Sequence, residues 1–545
     1  MGALGQNWKL ILDILVLVSW GTLLIFAILK KAAKQDYGNT ELTALALGGW
    51  PVPALLVSLL ILGLLLFVPA GYILIFILIL ISTSAGFAIH VTRKDFTPDI
   101  IPPLLFFLFL FFLRIGFINK AVLPSYFDSA EHYRIVQLLL NMNADKEFTW
   151  PATSYYHLGY HSIVAAFSST TNADPAQVML IFGQIILATI PLPIYFFVRR
   201  ITGSRMAAIL GVTLAAFGWY MPAHAVNWGK YPALLSLLVI QFTLGAVALK
   251  RRWLIVLGII ASTLIHTRAI ILFGILGAAL LLSKQIRSRR TLFFALTGVL
   301  LGVTILLIKQ NQILGPVFEP YEIWVTLLVG LLSALTFQSF PHLTIFTSLT
   351  MLMLLAGIFI PVTSSITLLD RPLVEIILFA PLAFLGGLGA ARIPKFIVPV
   401  LVAGIIFHAW MTYDFYPSAC CQLAGRNDMA AMDWINERLP ADAHFAIASS
   451  DLVLNSSGTP MQSTGTDAGI WVEPLTGRIS TPMPYFTDFS AQSTHDFLCS
   501  QQVKYIYDSG MPQGFIFTET KMEWYETIFS ASNIEIIRVN GCGDG

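Results

Sequence analysis

Residues 101–134 read IPPLLFFLFLFFLRIGFINKAVLPSYFDSAEHYR, and this stretch contains both kinds of segment that decide the fold. Its first part, 101–120, is apolar apart from Arg114 and its last two residues. A helix needs about 20 apolar residues to cross the hydrocarbon core of a bilayer. The run that follows, 126–133, carries two carboxylates. We therefore predict a membrane-spanning helix that ends at an acidic, polar surface.

The same apolar pattern recurs along most of the chain. Of its 545 residues, 56% are hydrophobic and 11% are charged, whereas soluble domains average about 25% charged residues. The composition indicates a polytopic α-helical membrane protein, and the net charge of +2 gives no indication of nucleic-acid binding. We predict about fourteen transmembrane helices, over 10–29, 43–67, 71–91, 101–120, 177–198, 206–225, 231–249, 253–266, 269–283, 291–308, 322–339, 342–361, 372–390 and 394–412. The pair 253–266 and 269–283 is either two tilted spans or one broken element.

The basic residues predict the orientation. One set of alternating loops holds seventeen Lys and Arg residues and the other set holds eight, and loops rich in Lys and Arg stay in the cytoplasm. This bias places the N-terminus, the loop 121–176 and the C-terminal segment 413–545 outside the cell membrane. All four cysteines, Cys420, Cys421, Cys499 and Cys542, follow the last span. Disulfides persist in that compartment, but four cysteines allow three pairings.

The loop 121–176 and the segment after Tyr413 both show periodic structure. In the loop, 128–143 and 158–168 have apolar residues at helical spacing, separated by a break at Trp150-Pro151, and we expect two amphipathic helices in the membrane interface. The C-terminal segment predicts an extracytoplasmic α/β domain. Its elements are a helix with Asn427 as N-cap that ends at Pro440, strands at 445–448, 505–507 and 534–537, helices near 491–500 and 522–531, and a long structured loop over 451–490.

Asp128 and Glu131 are the first candidates for chemistry. They lie three residues apart, so on a helix they share a face and can meet one ligand. Asp128 would then act as a general base, or the pair would form a metal site together with His132. The alternative is that both are solvated charges at the start of a helix, where acids interact favourably with the dipole.

Cations from separate loops form the second candidate group. Lys230 lies in the run 227–232 beside Asn227, His266 and Arg268 lie between two short spans, and Arg371 can pair with Glu375 one turn on. Arg114 is a fifth cation near the same leaflet. Together they suit an anionic ligand such as a lipid phosphate, because arginine can fork around phosphate oxygens.

Each of these residues also has an ordinary explanation. Cations commonly extend to lipid headgroups, and Trp228 and Tyr231 suit an interfacial aromatic belt. His157 and His161 lie four residues apart and could bind a metal from one helix face. Without an evident third ligand, a pair in the core or the interface is the simpler interpretation.

The acidic loop after a membrane span, the outer cations and the C-terminal domain resemble the GT-C superfamily of integral-membrane glycosyltransferases. That class includes protein O-mannosyltransferases, oligosaccharyltransferases and lipid A aminoarabinose transferase. The resemblance covers about 101–545, so that 1–100 would be additional N-terminal helices, 101–412 the transmembrane core and 413–545 the soluble domain. The segments 228–232 and 466–478 look similar to those of prokaryotic membrane glycosyltransferases.

The resemblance implies a transferase that moves a sugar from a polyprenyl-phosphate donor to a hydroxyl group of a glycan, lipid or protein acceptor, with inversion. The family's acidic residue corresponds to Asp128, with Glu131 in the same motif. The donor phosphate would lie against Lys230, His266, Arg268 and Arg371. The substrate cavity would include His132, Asn227, Trp228 and Tyr231. The motif Asp-x-x-Glu-His differs from Asp-x-Asp, so a divalent metal such as Mg or Mn remains open.

Two other functions are compatible with the sequence. A transporter or lipid flippase suits fourteen spans, but transporters commonly contain inverted repeats and midplane sites; here no repeat is visible, and the ionisable residues gather towards one face. A scaffold with an external binding domain would tolerate the loss of the outer carboxylates.

Overall fold

The computed structural model describes residues 4–32, 37–65, 67–68, 70–93, 97–145, 157–286, 319–362, 367–454, 462–517 and 523–542. The predicted span 291–308 and the break at Trp150-Pro151 lie outside the described residues. The described helices are α1 (Leu4–Ala32), α2 (Asn39–Gly49), α3 (Pro51–Leu65), α4 (Ala70–Thr92), α5 (Ile101–Lys120), α6 (Phe127–Asp145), α7 (Gly159–Thr171), α8 (Pro175–Thr189), α9 (Leu192–Thr202), α10 (Arg205–Phe217), α11 (Tyr231–Ala248), α12 (Arg252–Ile265), α13 (Ala269–Gln285), α14 (Ile323–Ser339), α15 (Pro341–Gly357), α16 (Arg371–Ala390), α17 (Ile397–Thr412), α18 (Arg426–Arg438), α19 (Val472–Thr476) and α20 (Gln492–Ser500).

Seven of the described helical segments are long and apolar enough to cross a membrane. They are Trp8–Ala32, Asn39–Leu65, Pro98–Lys120, Pro175–Thr202, Tyr231–Ala248, Pro320–Phe337 and Arg371–Ala390. Six further apolar helices, Ile77–His90, Arg205–Phe217, Arg252–Ile265, Ala269–Gln285, Pro341–Gly357 and Ile397–Thr412, are shorter. These thirteen segments coincide with thirteen of the predicted stretches. The polytopic helical fold class is therefore confirmed.

The helices divide into central and peripheral ones. Along α8 and α11 nearly every side chain is buried, so these helices form the centre of the bundle. Peripheral helices instead present large apolar side chains outward: Phe112 of α5 is 71% exposed and Leu331 of α14 is 72% exposed. Exposed apolar side chains on long apolar helices are expected to contact lipid.

Residues of the predicted cytoplasmic loops meet at one end of the bundle. Arg199 pairs with Glu41 at 3.0 Å. Asn39 accepts a hydrogen bond from Lys30 at 2.7 Å and donates one to Thr97 at 3.0 Å. The charged residues of the predicted outer loops meet instead around Asp128. Successive loops of a membrane-spanning bundle must lie at opposite ends of it, and the two sets of loops do so here. That the set around Asp128 faces the outside stays a prediction.

The loop helices differ from each other in burial. On α6 one face is buried and the other is partly exposed, with the buried residues concentrated in the first half of the helix. On α7 every side chain from Tyr160 to Ser168 is buried, so the expectation of an interfacial helix with a single buried face is wrong for this segment. Its small residues allow close packing: a Cβ on Gly159 would lie 2.8 Å from the carbonyl oxygen of Leu264.

The C-terminal segment folds into a six-stranded sheet with helices. The strands are β1 (His444–Leu454), β2 (Gln462–Gly465), β3 (Ile479–Pro484), β4 (Tyr505–Asp508), β5 (Tyr525–Ala531) and β6 (Ile534–Val539). The order is β2-β1-β4-β6-β5, and β3 also pairs with β1. The pairs β1–β3 and β1–β4 are parallel, whereas β1–β2, β4–β6 and β5–β6 are antiparallel.

Three details of the C-terminal prediction are corrected. Residues 525–531 form β5 rather than a helix, because they pair with the adjacent strand β6. The described parts of 451–490 include the end of β1, β2 and β3. Helix α18 begins after Gly425, whose N–H donates to the Asp428 carboxylate at 2.7 Å, so Asn427 lies in the first turn.

One disulfide is formed among the four cysteines, between Cys499 and Cys542. Of the three possible pairings, only the one that contains this bond is compatible with the structure. The bond joins α20 to the segment that follows β6. Cys420 and Cys421 are free thiols, the first exposed and the second buried.

The C-terminal domain lies against the loop helix α6. The ring of Trp471 meets that of Tyr133 edge to face, with 5.7 Å between centroids. The backbone N–H of Tyr126 donates to the carbonyl of Cys421 at 2.8 Å. These contacts attach the C-terminal domain to the first turns of α6.

Asp467 is a fully buried carboxyl in this domain. Ser509 Oγ donates to it at 2.7 Å and the Gly469 N–H donates at 2.9 Å. Burial raises the pKa of Asp467 to about 7, although both hydrogen bonds oppose the shift. The carboxyl is therefore largely protonated in the folded protein at mildly acidic pH.

Protonation of Asp467 predicts a pH-dependent stability. Between pH values of about 4 and about 7 the unfolded chain binds fewer protons at this position than the folded chain. The free energy of unfolding should therefore fall as the pH rises through that window, by about 4 kcal/mol at most. Asp467→Asn should reduce the fall in the thermal midpoint of the full chain in detergent. Asp442→Asn, at a carboxylate that is 76% exposed, should retain it, and equal pH dependence in both variants would contradict the assignment.

Candidate active site

A tight turn brings the segment 227–231 against the start of α6. Gly229 has a φ of 64°, in the left-handed region that favours glycine. A Cβ at this position would lie 2.5 Å from Ser129 Oγ and 3.2 Å from Asp128 Cβ. The close approach therefore requires glycine, and it places Lys230 beside the first turn of α6.

Asp128 and Lys230 form an ion pair at this junction. The Nζ of Lys230 donates to Oδ2 of Asp128. The Asp128 side chain is 11% exposed and that of Lys230 is 27% exposed, so water reaches the pair only in part. Burial lowers the pKa of Lys230, but the attraction of Asp128 outweighs it and leaves the pKa above its usual value. Lys230 is therefore charged at neutral pH.

A second ion pair lies nearby, formed by residues from two other loops. Arg268, in the turn between α12 and α13, pairs with Asp370 at 2.6 Å. Asp370 directly precedes α16. Both of these residues act electrostatically on Lys230, Asp370 raising its pKa and Arg268 lowering it. Four charges from four chain segments thus share one site.

Histidines surround the two ion pairs. His161 Nε2 lies 3.0 Å from His132 Nδ1, and the rings of His157 and His266 are 4.4 Å apart. The sequence singled out His157 and His161 without finding a third partner; the structure adds the other two. Helix α6 supplies one of them and the break after α12 supplies the other, which spacing alone does not reveal.

Burial keeps these imidazoles neutral. It lowers the pKa of His161 to about 3, and burial with the nearby Arg268 lowers that of His266 to about 4. For His132 and His157 the direction is the same, again chiefly through burial. His266 is therefore neutral at neutral pH in this structure, and its predicted contact with a phosphate would be a hydrogen bond.

The residues of this site do not fit Mg²⁺ or Mn²⁺ well. Both ions prefer oxygen ligands. Among the described residues of the site, the carboxylate of Asp128 is paired with Lys230 and that of Asp370 with Arg268. The remaining donors are imidazoles. We therefore assign no catalytic step to such an ion.

The other predicted residues have different surroundings. Glu131 pairs with Arg134 at 2.8 Å, so the two carboxylates of the motif have separate partners. Arg371 pairs with Glu375 at 2.5 Å, as the sequence suggests. Each of the three cations predicted to bind phosphate, Lys230, Arg268 and Arg371, thus has a carboxylate partner.

The predicted cavity residues are engaged in packing and hydrogen bonds. Asn227 is fully buried; its amide donates to Asp414 Oδ2 at 2.9 Å and accepts from the Ser418 N–H at 3.0 Å. Tyr231 stacks on Tyr160 at 5.9 Å. Their roles towards a substrate, with those of His132 and Trp228, stay predictions.

Arg114 does not extend towards headgroups. It is fully buried, its Nε donates to Gln184 Oε1 at 2.7 Å, and its Nη1 donates to the carbonyl of Asp414. Its guanidinium also lies over the ring of Tyr413 at 5.4 Å. Arg114 thus fixes the segment that follows the last apolar helix. The sequence analysis did not single out Asp414, although an acidic residue directly after a membrane span is a recognisable candidate for a structural or functional role.

The chain has distant structural likenesses among solved proteins. No protein-family model matches the sequence, and no curated protein matches it. Among solved structures, the chain is similar to the arabinofuranosyltransferase AftD from Mycobacteria, with a TM-score of 0.49 and 11% sequence identity. The likeness covers 81% of this chain and 40% of that one. At this distance it does not establish a shared fold or activity.

The close approach at Gly229 can be tested by adding a single methyl group. Gly229→Ala should destabilise the protein by about 1 kcal/mol for the left-handed backbone and by a further ~1–3 kcal/mol for the clash with Ser129. Gly477 has a φ of 67° with nothing within 4 Å of an added Cβ, so Gly477→Ala carries the backbone term alone. Thermal midpoints in detergent measure both, and equal losses would mean that the turn does not lie against α6.

Proposed function

We propose that this chain is a membrane glycosyltransferase of the GT-C type, which moves a sugar from a polyprenyl-phosphate donor to a hydroxyl acceptor. The observation that carries the proposal is the joining of Asp128, Lys230, Arg268 and Asp370 from four segments at one end of an apolar helix bundle. A carboxylate beside two cations is the set of groups that such a transfer needs.

A lipid-phosphate donor has two chemically unlike parts, and the molecule has surfaces for each. The polyprenyl tail suits the exposed apolar side chains of the peripheral helices. The phosphate suits cations at the bundle end, where Arg268 is 31% exposed and Lys230 is 27% exposed.

In the proposed reaction, Asp128 is the general base. The acceptor hydroxyl transfers its proton to an Asp128 oxygen while its own oxygen attacks the anomeric carbon. The bond between that carbon and the phosphate oxygen breaks, and both electrons leave with the phosphate. Because the departing group is already an anion, no general acid is needed. Direct displacement inverts the anomeric centre.

The ion pairs are part of this mechanism. An incoming phosphate competes with Asp128 for Lys230, so donor binding transfers the lysine to the phosphate and releases the carboxylate for the acceptor proton. Arg268 would likewise stabilise the charge that grows on the leaving phosphate. Arg371 would support the phosphate from the start of α16, and the neutral His266 would contribute a hydrogen bond.

The site is proposed to face the outside of the plasma membrane, from the bias of basic residues. The C-terminal domain packs on α6 through Trp471 and Tyr133, which suits a role in covering the site or holding the acceptor. The resemblance implies an acceptor that is a glycan, a lipid or a protein.

Transfer should depend on Asp128 and not on its neighbour in the motif. With labelled polyprenyl-phosphate sugars in liposomes, Asp128→Asn should lower turnover by about 10²–10⁴-fold while donor binding persists. Glu131→Gln is the matched control, since Glu131 pairs with Arg134 instead. Loss only in the Glu131 variant would move the base there. If the wild type shows no transfer with any donor but moves lipid in a flux assay, the protein is a flippase.

A double variant separates catalysis from ion pairing at Arg268. Arg268→Gln alone should lower turnover by about 10²–10³-fold, because a charge opposite the leaving phosphate is lost. Adding Asp370→Asn removes the partner carboxylate as well. If Arg268 acts on the donor, the double variant stays inactive. Recovery of turnover would show that Arg268 serves only to neutralise Asp370.

A further inference from the structure

A group of thiol and imidazole side chains lies outside the proposed active site. His224 belongs to the turn between α10 and α11, and Cys420 and Cys421 lie between α17 and α18. One possible ligand atom of each residue lies within 4.8 Å of those of the other two. His224 and Cys421 are buried, whereas Cys420 is exposed, so the group can be reached from one side.

The histidine of this group is held in a fixed orientation. Its Nδ1 lies 2.6 Å from Asp414 Oδ2. The ring stacks on Tyr220 at 4.0 Å and meets Trp228 edge to face at 5.2 Å. A proton on Nδ1 that is donated to the carboxylate leaves Nε2 with a free lone pair, which is the tautomer that ligates metals.

The cysteines are also held by the backbone around them. The Cys421 N–H donates to the Ser418 carbonyl at 3.1 Å, and the Cys421 carbonyl accepts from Tyr126 at 2.8 Å. Ser418 is in turn bound by Asn227, from the same turn as His224. The two parts of the group are therefore positioned relative to each other before any ligand arrives.

We propose that His224, Cys420 and Cys421 bind one soft divalent metal ion of the zinc class, with Asp414 orienting the imidazole. Two thiolates and one imidazole match the preference of such ions and disfavour hard ions such as Mg²⁺. Three protein ligands leave a fourth position for water. The ion would connect the α10–α11 turn to the segment that leads into the C-terminal domain.

Oxidation of the two cysteines to each other is the main competing outcome. Their sulfur atoms lie 2.8 Å apart, beyond the covalent distance of about 2.05 Å, and both are free thiols, unlike Cys499 and Cys542.

The metal site does not depend on the proposed transferase activity, because binding is measured without any sugar donor.

The test uses the full-length protein in detergent, reduced and freed of metal with a chelator, and Co²⁺ as the probe. We expect one Co²⁺ per chain, a thiolate-to-cobalt charge-transfer band in the near ultraviolet, and displacement by Zn²⁺. The Cys420→Ser/Cys421→Ser double variant and His224→Gln should lose the site. Asp414→Asn should weaken binding by about 10–100-fold. His342→Gln, at an exposed histidine elsewhere, should bind as the wild type does.

Several results would overturn the proposal. One is a wild-type cobalt spectrum without the thiolate band, a readout that does not depend on whether a variant folds. Another is unchanged stoichiometry in the double cysteine variant. A third is a Cys420–Cys421 disulfide found by mass spectrometry whose reduced thiols then bind no cobalt. Raised thermal stability of the wild type on addition of Zn²⁺, absent in the double variant, would support it.

Discussion

The ion pair between Lys230 and Asp128 is the contact on which the rest of the site depends. Two charges with little exposure are stable only when each has a partner, so the turn at 227–231 and the start of α6 must meet. Gly229 makes that meeting possible, because a Cβ would collide with Ser129. The loop helix α6 is thereby fixed on the bundle. The four histidines and the ion pair between Arg268 and Asp370 lie close to this junction.

Neutral histidines and paired charges give this site a distinct electrostatic character. The imidazoles are buried and uncharged, so the positive charge near Asp128 comes from Lys230 and Arg268, and each already has a carboxylate partner. A site built in this way does not hold an excess of bare cations for a phosphate. In the proposed reaction the incoming phosphate must replace a carboxylate, and that exchange couples donor binding to release of the base.

Hydrogen bonds from segments far apart in sequence fix the position of residues 414–421, which follow the last apolar helix. Arg114, from the second half of an apolar helix, donates to the carbonyl of Asp414, and Asn227 binds both Asp414 and Ser418. The backbone of Tyr126 meets Cys421 next to the first turn of α6. These contacts connect the last apolar helix and the C-terminal domain to the loop that carries Asp128.

The sequence by itself determined the polytopic helical class, the helical loop segments and three of the six C-terminal strands; the role of Asp128 stays a prediction. Hydrophobic length and local periodicity are properties of contiguous residues, so they can be read directly. It misassigned β5, because a strand there depends on pairing with β6, and the surroundings of α7, because burial depends on neighbours. Only the tertiary structure decided that Asp370 pairs with Arg268, that His157 lies against His266, and that His224 lies beside the free cysteines. Those contacts join residues separated by tens to hundreds of positions, and chain packing rather than spacing brings them together.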